Sequence, residues 1–161
     1  MAILFSARQI VEAAVEKENK RKGFYAAVSE MSRHPEMKDL FRFLVREEER
    51  HIRVFSDILA RLPADVHPVG YTEEMQAYMD GLINDRLYAD IDTAACAEKA
   101  LAEKSVFSLA IGFEKDAILY FREFLPYLSE SDADIVAELI EQEKGHIRKL
   151  AEMKKEMTSW N

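Results

Sequence analysis

Residues 37–62 read MKDLFRFLVREEERHIRVFSDILARL, and this stretch decides the fold. Its apolar positions step by fours and threes through Met37, Phe41, Leu44, Phe55, Ile58 and Leu62, the spacing of one stripe along an α-helix. Glu48 and His51 fall in the middle of the same stripe. A carboxylate and an imidazole three residues apart stack on one helical face, close enough to bind one ion together. The stretch therefore predicts a core-facing helix that carries two polar groups into an apolar seam.

Working outward, the pattern recurs near the C-terminus, where Glu143 and His146 interrupt a seam of Val136, Leu139, Leu150, Met153 and Met157. Subtracting 48 from 143, or 51 from 146, gives 95 residues in both cases. A similar offset elsewhere pairs Glu18 with Glu114, which are 96 residues apart. Glu18 is followed by Phe24-Tyr25 and Glu114 by Tyr120-Phe121, the same step to an aromatic pair. Glu18 sits in a seam with Val11, Ala14, Tyr25 and Val28; Glu114 sits in one with Phe107, Ile111, Ile118, Phe121 and Leu125. An internal duplication of a helical hairpin explains the repeat. Glu16 competes for the Glu18 role, but only Glu18 matches the aromatic step.

Start and stop signals bound the helices. Ser6 with Gln9 has the form of a capping box, so a first helix is expected over about 7–33, broken at His34-Pro35. Pro35 suits the first turn of a second helix, over about 35–62, which stops at Pro63. Pro63, Pro68, Gly70 and Gly81 mark residues 63–92 as a long crossover, with a short amphipathic piece from about Thr72 to Tyr88. A third helical region is expected over about 93–125, with Ser105 able to cap a new start inside it, and Ser131 with Asp134 opens a fourth over about 132–157. Two short links and one long crossover describe a single all-α domain, residues 1–161, folded as an antiparallel four-helix bundle.

Composition agrees. Only five Gly and four Pro leave few turns for a many-stranded protein, and 48% apolar residues suffice for one core. A formal charge of −8, with no segregated basic patch, argues against a nucleic-acid partner. The single cysteine, Cys96, rules out an intramolecular disulfide and any Cys-x-x-Cys metal pair. No apolar run reaches the length of a membrane span or a signal-peptide core, so a soluble, cytoplasmic protein without a membrane partner is expected.

Four carboxylates and two neutral imidazoles in the core carry a formal charge of minus four, which two divalent cations cancel. Without them each buried ion costs several kcal/mol. Oxygen and nitrogen donors without thiolate point to iron first, with manganese or zinc as alternatives. The candidate metal ligands are Glu18, Glu48, His51, Glu114, Glu143 and His146, with Tyr25 and Tyr120 as hydrogen-bond donors that would orient carboxylates. Glu47, Glu49 and Glu141 read as solvated charges, Glu103 as too far along the axis, His34 and His67 as solvent-facing breaks, and Lys22 as extending to solvent.

The four pieces Glu18-Asn-Lys-Arg-Lys-Gly-Phe-Tyr25, Glu48-Glu-Arg-His51, Glu114-Lys-Asp-Ala-Ile-Leu-Tyr-Phe121 and Glu143-Lys-Gly-His146 resemble rubrerythrin and its ferritin-like diiron-carboxylate relatives. In those proteins a Glu from the first and third helices joins Glu-x-x-His from the second and fourth. The resemblance implies a ferritin-like bundle with two iron ions, Glu48 and Glu143 as bridges, and an oxidoreductase site that reacts with peroxide or dioxygen. Rubrerythrins proper carry a rubredoxin domain and a further Glu where Ala117 stands, so the electron donor here is expected to be a separate protein. Iron storage or delivery, and a non-redox domain stapled by a structural metal, are the alternative roles. The long crossover also allows a homodimer or larger homo-oligomer.

Overall fold

The computed structural model describes residues 6–63, 72–84 and 89–159. Its elements are α1 (Ala7–Met31), α2 (Pro35–Arg61), α3 (Glu73–Ile83), α4 (Ala94–Ala102), α5 (Val106–Phe124), a 3-10 turn (Leu125–Tyr127) and α6 (Glu130–Ser159). There is no strand among the described residues. No helix among them is long and apolar enough to cross a membrane.

The helix ends follow local chemistry. The Ser6 hydroxyl accepts from the Gln9 N–H at 3.2 Å, and the Gln9 side chain accepts from the Ser6 N–H at 2.9 Å, which completes the capping box. Two residues of the expected first helix are lost at its end, where Ser32 turns extended and its N–H closes on the Val28 carbonyl. Pro35 occupies the first turn of α2. The expected fourth helix begins earlier than the Ser131 signal indicated, because Ser129 supplies the cap and accepts from the Asp132 N–H at 3.2 Å.

The third region divides as its sequence suggested, by a different device. Ser105 precedes α5 but makes no capping bond; its hydroxyl turns back to the Ala100 carbonyl. Lys104 takes the left-handed conformation, at φ 56°, and the N–H groups of Lys104 and Ser105 close on Leu101 and Ala100. That is a helix-terminating turn built without its usual glycine. The amphipathic piece within the crossover is α3, capped by Thr72 and ending at Ile83, ahead of the expected Tyr88. Residues 64–71 and 85–88 lie outside the described residues.

Cross-bundle bonds fix the directions. Arg8, at the start of α1, donates to the carbonyls of Leu59 and Leu62, at the end of α2, so the two are antiparallel. Lys154 to Ser108 sets α6 antiparallel to α5, and Arg61 to Asp132 does the same for α2 and α6. Tyr120, late in α5, donates to the Ile10 carbonyl, early in α1. Gly23 is required where α1 meets the chain before α4, since a Cβ there would stand 2.6 Å from Asp92 Cβ.

The apolar core forms two layers. One gathers Ile10, Ala14, Phe55, Ile58, Phe121 and Val136; the other gathers Phe24, Phe41, Leu44, Phe107, Phe113 and Leu150. Along α5 the inward positions are Phe107, Ala110, Phe113, Glu114, Ala117, Tyr120 and Phe121, whereas Ile111 and Ile118 of the expected seam are only half buried. Small alanines carry a weak apolar signal, and that shifted the expected phase of this helix.

Candidate metal centre

Between the two apolar layers lies a polar one. α1 contributes Glu18, α2 Glu48 and His51, α5 Glu114, and α6 Glu143 and His146, and none of the six is more than 2% exposed. Donor atoms of Glu18, Glu48, His51 and Glu143 lie within 4.8 Å of one another, as do those of Glu48, Glu114, Glu143 and His146. Glu48 and Glu143 take part in both groups, so they stand between two neighbouring positions.

Both imidazoles turn Nδ1 inward. His51 Nδ1 lies 2.7 Å from Glu143, 3.6 Å from Glu18 and 3.9 Å from Glu48. His146 Nδ1 lies 3.2 Å from Glu143 and 3.6 Å from Glu114. The rings stack at 15°, with centroids 5.9 Å apart. Each Nε2 faces outward to a residue of the opposite hairpin: His51 meets the Gln142 amide oxygen at 3.1 Å, and His146 meets the Glu47 carboxylate at 3.6 Å. The hydrogen bond to Gln142 is of the kind that fixes ring orientation and tautomer, while Glu47 is a charge contact.

The layer holds more acceptors than hydrogens. Both oxygens of Glu48 and one each of Glu18 and Glu114 are buried without a hydrogen-bond partner. Buried polar atoms in such number need a partner, and cations suit lone pairs aimed at a common point. The donor set therefore fits a dinuclear metal site.

The titratable groups of the layer respond to one another's charge. Burial pushes the His51 pKa down, but contact with Glu143 and Glu18 outweighs it and raises the value to about 10. Burial pushes Glu143 up, and its contacts with His146 and His51 outweigh that and hold it at about 2. Burial keeps the Tyr25 hydroxyl protonated well above its ordinary range. It donates to Glu114 at 2.6 Å, the orienting contact expected of it. Tyr120 differs from its expectation: its hydroxyl hydrogen goes to the Ile10 carbonyl at 2.7 Å rather than to a carboxylate.

Two charged residues that sequence reasoning missed belong to this layer. Arg21, 5% exposed, pairs with Glu18 one turn away and stays charged: burial works against the guanidinium, and Glu18 and Glu143 more than restore it. Glu47 is 6% exposed, not the solvated charge that was expected; it packs against His146 and pairs with Arg50 at 2.6 Å. The 95-residue offset that relates the ligands also relates Glu47 to Gln142, a signal that could have found both. Glu16, Glu49, Glu103, Glu141 and His34 are exposed, Lys22 is half buried, and His67 lies outside the described residues. Arg21 also lines a cavity of about 490 Å³, together with Lys17, Lys20, Phe113, Asp116 and Tyr120.

The helix order and the buried carboxylate–imidazole layer define a ferritin-like fold with a site fitted to two metal ions. No protein-family model matches the chain, and no curated protein does. The chain is similar to a Thermotoga maritima protein whose crystal structure carries the provisional designation of a ferritin-like diiron-carboxylate protein. The two are 28% identical, the match covers 98% of this chain and 99% of that one, and the TM-score is 0.71.

Proposed function

We propose that the protein is a diiron-carboxylate oxidoreductase that reduces peroxide or dioxygen with electrons from a separate donor protein. Glu48 carries this reading. It is fully buried, neither oxygen has a hydrogen-bond partner, and it is within reach of both ligand groups. In this assignment Glu18 and His51 would hold one ion and Glu114 and His146 the other, with Glu48 and Glu143 within reach of both.

Oxygen and nitrogen donors without thiolate suit iron or manganese. Two iron ions held there would supply redox chemistry towards peroxide or dioxygen, with the electrons coming from the separate donor protein. The chain's residues provide the setting. Tyr25 donates to Glu114 and holds its orientation, Gln142 takes the His51 Nε2–H and keeps Nδ1 turned inward, and the two apolar layers keep bulk water out.

The test is elemental analysis after anaerobic iron loading, followed by stopped-flow absorbance on mixing with peroxide or dioxygen. The expected result is about two irons per chain, and an optical change that a reductant reverses. Fewer than about one ion per chain after loading would sink the reading. Full loading with no optical response would favour a structural metal, and uptake well beyond two irons would favour storage. His51→Ala and His146→Ala should each remove about one ion.

A further inference from the structure

We infer that the two metal positions are unequal in affinity, the Glu114–His146 position filling first and the Glu18–His51 position second. This rests on the dinuclear reading above and adds to it which position is stronger, and why.

The ligands themselves are matched by the repeat; their surroundings are not. Beside Glu18, one turn on in α1, stands Arg21, a buried and permanent cation whose guanidinium takes one Glu18 oxygen and leaves its Nε without a partner. The corresponding position one turn after Glu114 is Ala117, fully buried and uncharged. A fixed positive charge at the first position competes with an arriving dication and occupies part of its carboxylate.

On the other side the bias has the same direction. His146 Nε2 faces the Glu47 carboxylate at 3.6 Å, a charge contact longer than a hydrogen bond, whereas His51 Nε2 hydrogen-bonds the neutral Gln142 amide oxygen at 3.1 Å. A nearly buried anion at that distance favours positive charge on an imidazole and the ion it would hold, and a neutral amide does so less. Arg50 pairs with Glu47, but its side chain is 55% exposed, so solvent screens much of its charge. Tyr25 bonds Glu114 through a neutral hydroxyl, a far smaller withdrawal than the Arg21 charge on Glu18. A cation on one side and a carboxylate on the other thus favour the same position.

The experiment adds cobalt(II) to chelator-stripped protein and reads the paramagnetically shifted imidazole N–H signals, assigned with His51→Gln and His146→Gln. At one equivalent of metal, the His146 signal should exceed the His51 signal by about tenfold or more. Arg21→Gln should bring the ratio towards equality, whereas Arg21→Lys, which keeps the charge, should largely preserve it. Glu47→Gln should narrow the ratio independently, and it tests the inference if Arg21→Gln does not fold. Equal filling in the unmodified protein, His51 filling first, or a ratio indifferent to both Arg21→Gln and Glu47→Gln overturns the inference while leaving two bound ions intact. Saturation below two cobalt ions per chain overturns the dinuclear reading, and this inference with it.

Discussion

In the first hairpin Glu18 is held by a guanidinium from its own helix, Arg21, whereas in the second Glu114 is held by a hydroxyl from across the bundle, Tyr25. The repeat places Phe121 where the second hairpin would need a matching hydroxyl, and Ala117 where it would need a matching cation. Glu47 and Gln142 are likewise matched in position and different in charge. The ligand set follows the repeat, while its surroundings set the two halves apart. On the proposed reading such a centre would have two similar binding positions with different electrostatics, with Glu48 and Glu143 within reach of both.

The largest effect should come from removing what the halves share. Glu48→Ala deletes the one carboxylate in both ligand groups that has no hydrogen bond of its own. Iron content after anaerobic loading should fall from about two per chain to below about one. Glu18→Gln and Glu114→Gln, each confined to one half, should each lose about one ion. If Glu48→Ala lost no more than either of these, the shared role of Glu48 would be wrong.

Proton linkage sharpens the comparison in the metal-free protein, since the pKa of His51 rises to about 10 through its contacts with Glu143 and Glu18. A folded-state pKa above the unfolded one gives stability that is fully present below about pH 6.5 and fades as pH rises through about 10. Glu143, held at about 2, contributes stability above its unfolded value that is lost as pH falls towards 2. The denaturation midpoint of chelator-treated protein should therefore decline between about pH 7 and pH 10. In His51→Gln that alkaline decline should shrink; an unchanged slope would remove His51 as its source.

A smaller effect is expected at the hydroxyl that only one half possesses. Tyr25→Phe leaves Glu114 Oε1 without its donor, and bonds to charged groups contribute about 1.5–3 kcal/mol. Chemical denaturation of the metal-loaded protein should show a loss of that order. The lost ion affinity should be concentrated at the His146 position, by about 10–100-fold. An equal loss at both positions would mean that Tyr25 acts through general packing.

These contrasts also show what was legible beforehand. The apolar seam of α2 was readable residue by residue, from Met37 to Leu62, because every inward position except Glu47, Glu48 and His51 is strongly apolar. The candidate ligands stood out as polar interruptions in register with a repeat. Arg21 and Glu47 did not, since a charged side chain is normally solvated and its burial here depends on partners across the bundle or on a paired carboxylate. The phase of α5 was blurred by Ala110 and Ala117, and the Ser105 cap failed because the backbone had already terminated α4 through Lys104.

The smallest predicted effect concerns how each hairpin begins. α1 opens on a complete capping box at Ser6, whereas α5 opens after Lys104, held at φ 56°, and an uncapped Ser105. A side chain with a Cβ in the left-handed region costs about 1–2 kcal/mol, and glycine there avoids that cost but loses more backbone entropy on folding, about 0.5–1 kcal/mol. Lys104→Gly should therefore stabilise the protein by about 0.5 kcal/mol, read as a small rise in denaturation midpoint with unchanged slope. Because Lys104 is exposed and distant from the ligand layer in sequence, metal content should not change. A loss of stability would mean that the Lys104 side chain contributes a contact worth more than the backbone strain it maintains.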